Sequence, residues 1–325
     1  LMQVVASPAL QSQLVENTGF LNAEGGTIAI TAAAAAETIN SLINVGGELN
    51  ATGIGTRKGH IYIYAEGSNA VWNNVTANKG TKSGHSTVRV SGKLNASNAT
   101  GTGGTIKVLG DTVTLANTAK IFADGQNGGG TIHIGGEFHG SGVTPTALTT
   151  VIEEGALLTA DATQCGNGGE VIVWSDVYTN FDGNIEAKGG AESGDGGFAE
   201  VSGEEYLRFE GVADLSAVSG SAGTLLLDPR NVTISTAADV TESCVGGVCT
   251  PTGDDSILNV TTLQNALANS NVTVNTGSDG AQTGNITVAN NVTWATGNLL
   301  TLSAAGGITI NAGVTISNTY AGSTF

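Results

Sequence analysis

The residues with chemical potential in this chain are few and widely spread. In "HIGGEFHG", His133 and His139 enclose Glu137, a nitrogen and oxygen set of the kind that ligates transition metals. A spacing of six residues suits neither one helical face nor a compact zinc pair, so exposed strand histidines are the simpler expectation and no metal is assigned. Asp254, Asp255 and Asp195 offer oxygen ligands for calcium, but the repeated nine-residue Asp-Gly calcium pattern is missing, and solvated turns are expected there. Residues 103–130 hold no nucleophile beside a base, no basic catalytic residue stands out along the chain, and neither a catalytic residue nor a cofactor is assigned. Carboxylates paired closely enough for glycoside cleavage would have to come from segments distant in sequence.

Two other groupings point to binding and to covalent stapling. Tyr62 and Tyr64 in "IYIYAEG" and Trp174 in "VIVWSD" point outward if their neighbours point inward, and exposed aromatics suit sugar or protein contact. Arg57, Lys58, Lys79, Lys82, Arg89 and Lys93 are accompanied in their segment only by Glu66, a basic stretch fit to meet an acidic glycan; solvated loop charges are the plainer alternative. Cys244 and Cys249 flank Val-Gly-Gly-Val, a turn that could bring their α-carbons within bridging distance and clip a small hairpin. Such a disulfide would fit an oxidising compartment. Cys165 is left over, most simply as a small buried residue, with an intermolecular partner as the alternative.

What must position these groups is a β-rich scaffold. Glycine supplies 49 of 325 residues, proline only 4, and charged residues 12%. Thr, Val, Ile, Asn and Gly crowd out the strong helix formers, favouring short strands and turns. A hydrophobic content of 40% is too high for a disordered tract. The net charge of -17 opposes nucleic-acid binding, which needs basic clusters that release counterions from phosphates. Its distribution is uneven, since eight of eleven basic residues lie between Arg57 and Lys120 and nineteen of twenty-eight acidic ones between Glu153 and Asp255. No apolar run reaches the roughly 18 residues of a spanning helix; the nearest, 30–47, carries Glu37 and Asn40 and reads as a short helix or broad turn. The N-terminus lacks a basic stretch and does not read as a signal peptide.

A repeat organises the strands. An aliphatic residue, any residue and Ala recur with the Ala at 23, 51, 77, 96, 123, 160, 187 and 217, at gaps of 28, 26, 19, 27, 37, 27 and 30 residues. A second marker, glycine followed by an alternating strand, starts at Gly25, Gly59, Gly84, Gly103, Gly129, Gly168 and Gly196. Within one unit Ile106, Val108, Val113 and Leu115 would face inward and Lys107, Thr112 and Thr114 outward. A unit of this size cannot bury its apolar face alone, so successive units must stack, each strand pairing in parallel with its counterpart one unit on. Glycine then serves corners of positive φ, and asparagine ladders along the stack. A parallel β-helix of about twelve coils of roughly 27 residues follows, with a longer loop in the 37-residue gap. Residues 1–227 form its Gly-rich coils and 228–325 a continuation with Asn/Thr-rich corners, interrupted by a short helix near 254–270.

The segments "GGEVIVWSD", "GGAESGDGGFAEVSG" and "GTLLLDPRNVTIS", within 168–235, resemble the filamentous haemagglutinin-like exoproteins of Gram-negative bacteria. The likeness extends over about residues 20–235. It implies a right-handed β-helix that is secreted through an outer-membrane two-partner secretion transporter, folds as it emerges, and stands at the bacterial cell surface as an adhesin. Its partners would be a host or neighbouring-cell glycan or protein receptor, with homotypic filament assembly a further option. The chain reads as a piece of a longer protein. A polysaccharide-active β-helix enzyme and a passive stalk presenting a distal toxin are the competing classes. Nine Asn-x-Ser/Thr sequons, at Asn50, Asn74, Asn95, Asn98, Asn231, Asn259, Asn271, Asn285 and Asn291, come with the Asn-Thr corners and would accept glycans only where exposed.

Overall fold

Alternating short strands stack here into a parallel β-helix. The computed structural model describes residues 2–5, 12–33, 40–66, 86–238, 242–245, 248–251, 255–277 and 282–321. Three faces run along the stack: one of ten parallel strands, one of seven continued by a four-stranded sheet, and one of seven with a two-stranded sheet further on. One coil is typified by Thr105–Leu109, Thr112–Leu115 and Lys120–Phe122, one strand per face. Each pairs in register with the coils before and after, so that Ile106 stacks between Ile61 and Ile132, and Val113 between Val88 and Thr150. Ile106, Val108, Val113, Leu115 and Ile121 are fully buried, and the interior is one continuous apolar column.

The two sequence markers share a period because a hydrogen bond joins them. The second glycine of each pair donates its N–H to the carbonyl of the marker alanine: Gly104 to Ala96, Gly130 to Ala123, Gly169 to Ala160 and Gly197 to Ala187, at 2.7–2.8 Å. In the next coil Gly223 donates to Leu215, which therefore occupies the place that spacing gives to Ala217. Gly25 is the one member of the marker pairs with positive φ, at 63°, among the described residues, and the second glycine of each pair is not the positive-φ corner that the sequence suggests. A β-carbon on Gly104 or Gly130 would lie 2.1–2.2 Å from a carbonyl oxygen of the preceding coil. Close approach between coils, not left-handed backbone, is what excludes a side chain here.

Two markers do not mark coils. Asn50 pairs directly with Asn95, so one coil runs from Ala51 to Ala96, and Ala77 falls inside its insertion, outside the described residues. The strand after Gly84 belongs to the second face rather than the first. The long first-face sheet accordingly has ten strands, since insertions consume sequence that an even period would count as coils. The alanine-rich segment 30–47 is also not helical where described: Thr27–Ala33 and Asn40–Val45 are strands, with Ile28, Ile30, Ile43 and Val45 alternating into the core.

Beyond Asp228 the winding changes. Ser256–Asn259 pairs with Val232–Ser235 and lies beside Tyr206–Phe209, so a later strand enters the second face ahead of an earlier one. The helix Val260–Asn269 then replaces a third-face strand, lying against Val212–Asp214 and Val292–Trp294. Asn259 caps it by accepting from Thr261 N–H at 2.8 Å, and Val260, Leu263, Ala266 and Leu267 bury its inner side. Asparagine takes over the corners as expected, with Asn231, Asn271, Asn285 and Asn291 side-chain oxygens accepting from backbone N–H groups of the next coil at 2.7–2.9 Å.

Candidate functional site

Stacking redistributes the residues singled out in the sequence. His133 and His139 do not converge. The first faces Glu170 one coil on, with Nε2 and Oε1 2.8 Å apart, while Glu137 receives Lys107 Nζ and the Thr144 hydroxyl, each at 2.5 Å. Burial alone would raise the Glu137 pKa, but these donors outweigh it and the carboxyl sits below its usual range. Asp195 accepts from Ser221 N–H at 2.8 Å and Asp255 from Asn231 at 2.9 Å, as turn staples; Asp254 lies outside the described residues. Cys244 and Cys249 are directly opposite one another in an antiparallel hairpin, as the spacing anticipates. Asn98, one of the sequon asparagines, is 1% exposed and anchors Gly55 O at 2.9 Å, closed to glycan attachment in the folded chain.

The aromatic residues divide. Tyr64 and Trp174 are each only 6% exposed, which removes both from the contact surface that outward alternation suggests. Tyr62 is half-buried and stacks parallel on His60, ring centres 6.0 Å apart. Trp174 does point out of its sheet, but residues 135–148, the loop within the 37-residue gap, fold over it. Gly136 and Gly140 lie directly on its ring, where a β-carbon would come within 2.8 and 2.5 Å.

The basic residues divide as well. Arg89 pairs with Glu153 at 3.2 Å and Lys93 with Glu48 at 3.0 Å, acids from flanking coils that their own segment does not contain. Lys107, Lys188, Arg208 and Arg230 also meet carboxylates, and Lys120 donates to Gly155 O. Arg57 and Lys58 are exposed and have no ion-pair partner among the described residues; Lys79 and Lys82 lie outside these. Arg57 closes a tight turn with Ile54 through reciprocal backbone bonds of 2.9 and 3.0 Å, and Thr100 and Asn98 of the next coil fasten Gly55 at its tip. The turn is thus held rigidly, with Lys58 close enough to lower the His60 pKa, adding to the larger effect of burial.

The loop over Trp174 carries the densest chemistry in the described residues. It crosses the outer side of the ten-stranded face, burying Ile172 and the carboxylate of Glu200. His139, in left-handed backbone at φ 52°, is the one non-glycine residue of positive φ among those described. Its N–H lies 3.2 Å from each Glu200 oxygen, and its Nδ1 is 2.9 Å from Asp228 Oδ2 and 3.8 Å from Glu200 Oε1. Ser202 Oγ donates to Glu200 at 2.9 Å and Asn275 Nδ2 to Asp228 at 3.3 Å. Burial is the main reason that Glu200 is lifted to about 7 and that Asp228 is also raised. Spacings of 61 residues from His139 to Glu200 and of 28 more to Asp228 concealed this set. Register was the signal that could have found it: Glu200 and Asp228 sit at outward positions of adjacent rungs, Glu200 beside Leu226 and Asp228 beside Ser202.

A second acidic row runs along the third-face corner, with Asp124 and Asp161 just after the marker alanines Ala123 and Ala160. Asp124 Oδ1 accepts from Asp161 N–H at 2.9 Å, and Asp161 Oδ1 from Lys188 N–H at 2.7 Å. Lys188 lies beside Glu186, and its Nζ is 3.6 Å from Asp214. Burial lifts Asp161 to about 6 and outweighs both the hydrogen bond and the charge of Lys188. These carboxylates serve as rungs of a corner ladder, one coil fastening the next.

No family model matches the chain, and no curated protein does.

Proposed function

We propose that this chain is a shaft segment of a secreted bacterial surface exoprotein of the filamentous haemagglutinin-like kind, exported by two-partner secretion, which contacts anionic glycans through the Arg57–Lys58 turn. The observation that carries the binding half is the allocation of charge. Every other basic residue described is engaged by a carboxylate or carbonyl across coils, while this pair is exposed on a fastened turn beside the His60–Tyr62 stack. A preorganised cationic pair beside an aromatic stack suits a sulfated or uronic-acid sugar, whose charge meets the cations and whose ring face meets Tyr62. The export half rests on the "GGEVIVWSD" and "GTLLLDPRNVTIS" segments and on the fold. Coils that touch only their neighbours can form in the order in which they emerge.

The open groove of about 590 Å³ along the glycine corner is a poorer seat for such a ligand. Its walls are glycine backbone with Glu170 and Asp195, which repel an anion. A glycan array probed with the purified chain tests the proposal. Selective retention on sulfated and uronic-acid glycans, lost in an Arg57→Gln/Lys58→Gln variant, is expected. Release of reducing or unsaturated sugar from the same glycans would replace it with a polysaccharide-active enzyme, and silence across the array would leave a passive stalk.

A further inference from the structure

The geometry points to a divalent transition-metal site, of the kind that takes Zn²⁺, formed by His139 Nδ1, Glu200 Oε1 and Asp228 Oδ2, which clips the loop 135–148 to two coils of the ten-stranded face. The proposal is independent of the glycan reading. One ligand atom from each of the three residues lies within 4.8 Å of the other two. The separations from Nδ1, 2.9 Å to Asp228 and 3.8 Å to Glu200, bracket the edge of about 3.4 Å expected for a tetrahedron with metal–ligand bonds of about 2.0–2.2 Å. The third edge, between the two carboxylates, is within 4.8 Å, so binding would need a shift of the exposed imidazole and a turn of the carboxylates.

Charge and backbone both favour a cation at this point. Glu200 is wholly buried and Asp228 nearly so, yet no lysine or arginine approaches either among the described residues. Two buried carboxylates that face one imidazole and no fixed cation suit a bound metal ion, since ionising them in this place is otherwise costly. His139 is held in left-handed backbone, a conformation unfavourable for a residue with a β-carbon, and its ring meets the carboxylates there. Strain of this kind collects at functional sites. The carboxylates are also held by other donors, Asp228 through Asn275 Nδ2 on Oδ1, the oxygen away from the proposed ion, and Glu200 through Ser202 Oγ on the ligand oxygen Oε1 itself.

The donor set selects the ion. One imidazole nitrogen with two carboxylate oxygens suits Zn²⁺ or Co²⁺, whereas Ca²⁺ seeks about six to eight oxygens and Mg²⁺ keeps much of its water. The outer side of His139 is exposed, which leaves room for a solvent ligand in the fourth position. Glu200 and Asp228 stand on adjacent strands of one sheet, while His139 comes from the loop, so the ion would tie an insertion to the shaft rather than hold one coil together.

The test is titration of the EDTA-dialysed chain with Zn²⁺ by calorimetry and with Co²⁺ by visible absorption, with Ca²⁺ and Mg²⁺ as comparison ions. Binding of one Zn²⁺ per chain is expected, with a Co²⁺ spectrum of low coordination number and a higher thermal midpoint in Zn²⁺ than in EDTA. Glu200→Gln, Asp228→Asn and His139→Gln should each weaken Zn²⁺ binding by at least about tenfold, while His133→Gln leaves it unchanged. Far-UV circular dichroism establishes that each variant is folded; Glu200→Gln keeps the shape and the hydrogen bonds of the original side chain most closely. Absence of saturable binding overturns the site. So does binding that survives all three substitutions, or that is lost with His133→Gln alone.

Discussion

Replacing Gly130 by alanine tests the stacking of coils at the position where the reasoning is most exposed. The added β-carbon would stand 2.2 Å from Gly104 O of the preceding coil and 2.8 Å from Ala123 O across the corner. Relief to an ordinary carbon–oxygen contact needs about 1 Å of movement, a large fraction of the roughly 4.8 Å between strands. That movement works directly against two hydrogen bonds, Gly130 N–H to Ala123 O at 2.7 Å and Thr131 N–H to Gly104 O at 2.9 Å. Overpacking costs about 1–3 kcal/mol and each lost hydrogen bond about 1 kcal/mol, so Gly130→Ala should destabilise by about 3–5 kcal/mol. Two other glycines separate the causes. Gly55 has φ +57° and open space around its missing β-carbon, so Gly55→Ala should cost about 1–2 kcal/mol of backbone strain. Gly19 has neither constraint, and Gly19→Ala should stay within about 0.5 kcal/mol. Denaturant unfolding followed by circular dichroism measures all three, with hydrogen exchange to localise the loss, because a solenoid need not unfold in one step. If Gly130→Ala proved no more harmful than Gly55→Ala, close approach between coils would not be the reason for the paired glycines.

Other outcomes follow from the same geometry. Trp174→Ala should cost about 3 kcal/mol and speed amide exchange in the loop 135–148 that covers the indole, read by exchange mass spectrometry. Because burial lifts Asp161 to about 6 in the folded chain, above the ordinary aspartate value of 3.8, the folded state takes up a proton between these values that the unfolded chain does not. This contribution therefore makes the fold more stable as pH falls from above 6 towards 4, and Asp161→Asn should flatten the dependence of the thermal midpoint on pH across that window. Asn259→Ala removes the cap of the single described helix and should cost about 1 kcal/mol in denaturant unfolding.

How far the sequence could be read depended on whether a feature was local or stacked. The alternation at Ile106, Val108, Val113 and Leu115 is local, and it gives the inward faces, the parallel pairing and the coil of three short strands. The capped helix at Val260–Asn269 was legible too, although Ile257 and Leu258 belong to the strand before it. Markers misled where an insertion carried a chance copy, as at Ala77, or where the true rung lacked alanine, as at Leu215. The candidate sites fared differently for a physical reason. Outward side chains meet neighbours one and two coils away, and loops lie across several rungs, so exposure is not a property of the alternation. Trp174 and Tyr64 alternate outward yet are covered, while Glu200 and Asp228 gain a histidine from a loop far back in sequence. Arg57 and Lys58 kept their expected exposure, and no described acid lies within ion-pair distance of either.

The Arg57–Lys58 corner is the proposed place where an otherwise self-satisfied shaft would meet an anionic partner. Surface plasmon resonance of the purified chain over immobilised sulfated and uronic-acid glycans, run at rising salt, measures this directly. Saturable, salt-sensitive binding that disappears in an Arg57→Glu/Lys58→Glu variant of unchanged thermal midpoint is the expected result. Equal binding by the variant, or none by the original chain, would contradict it.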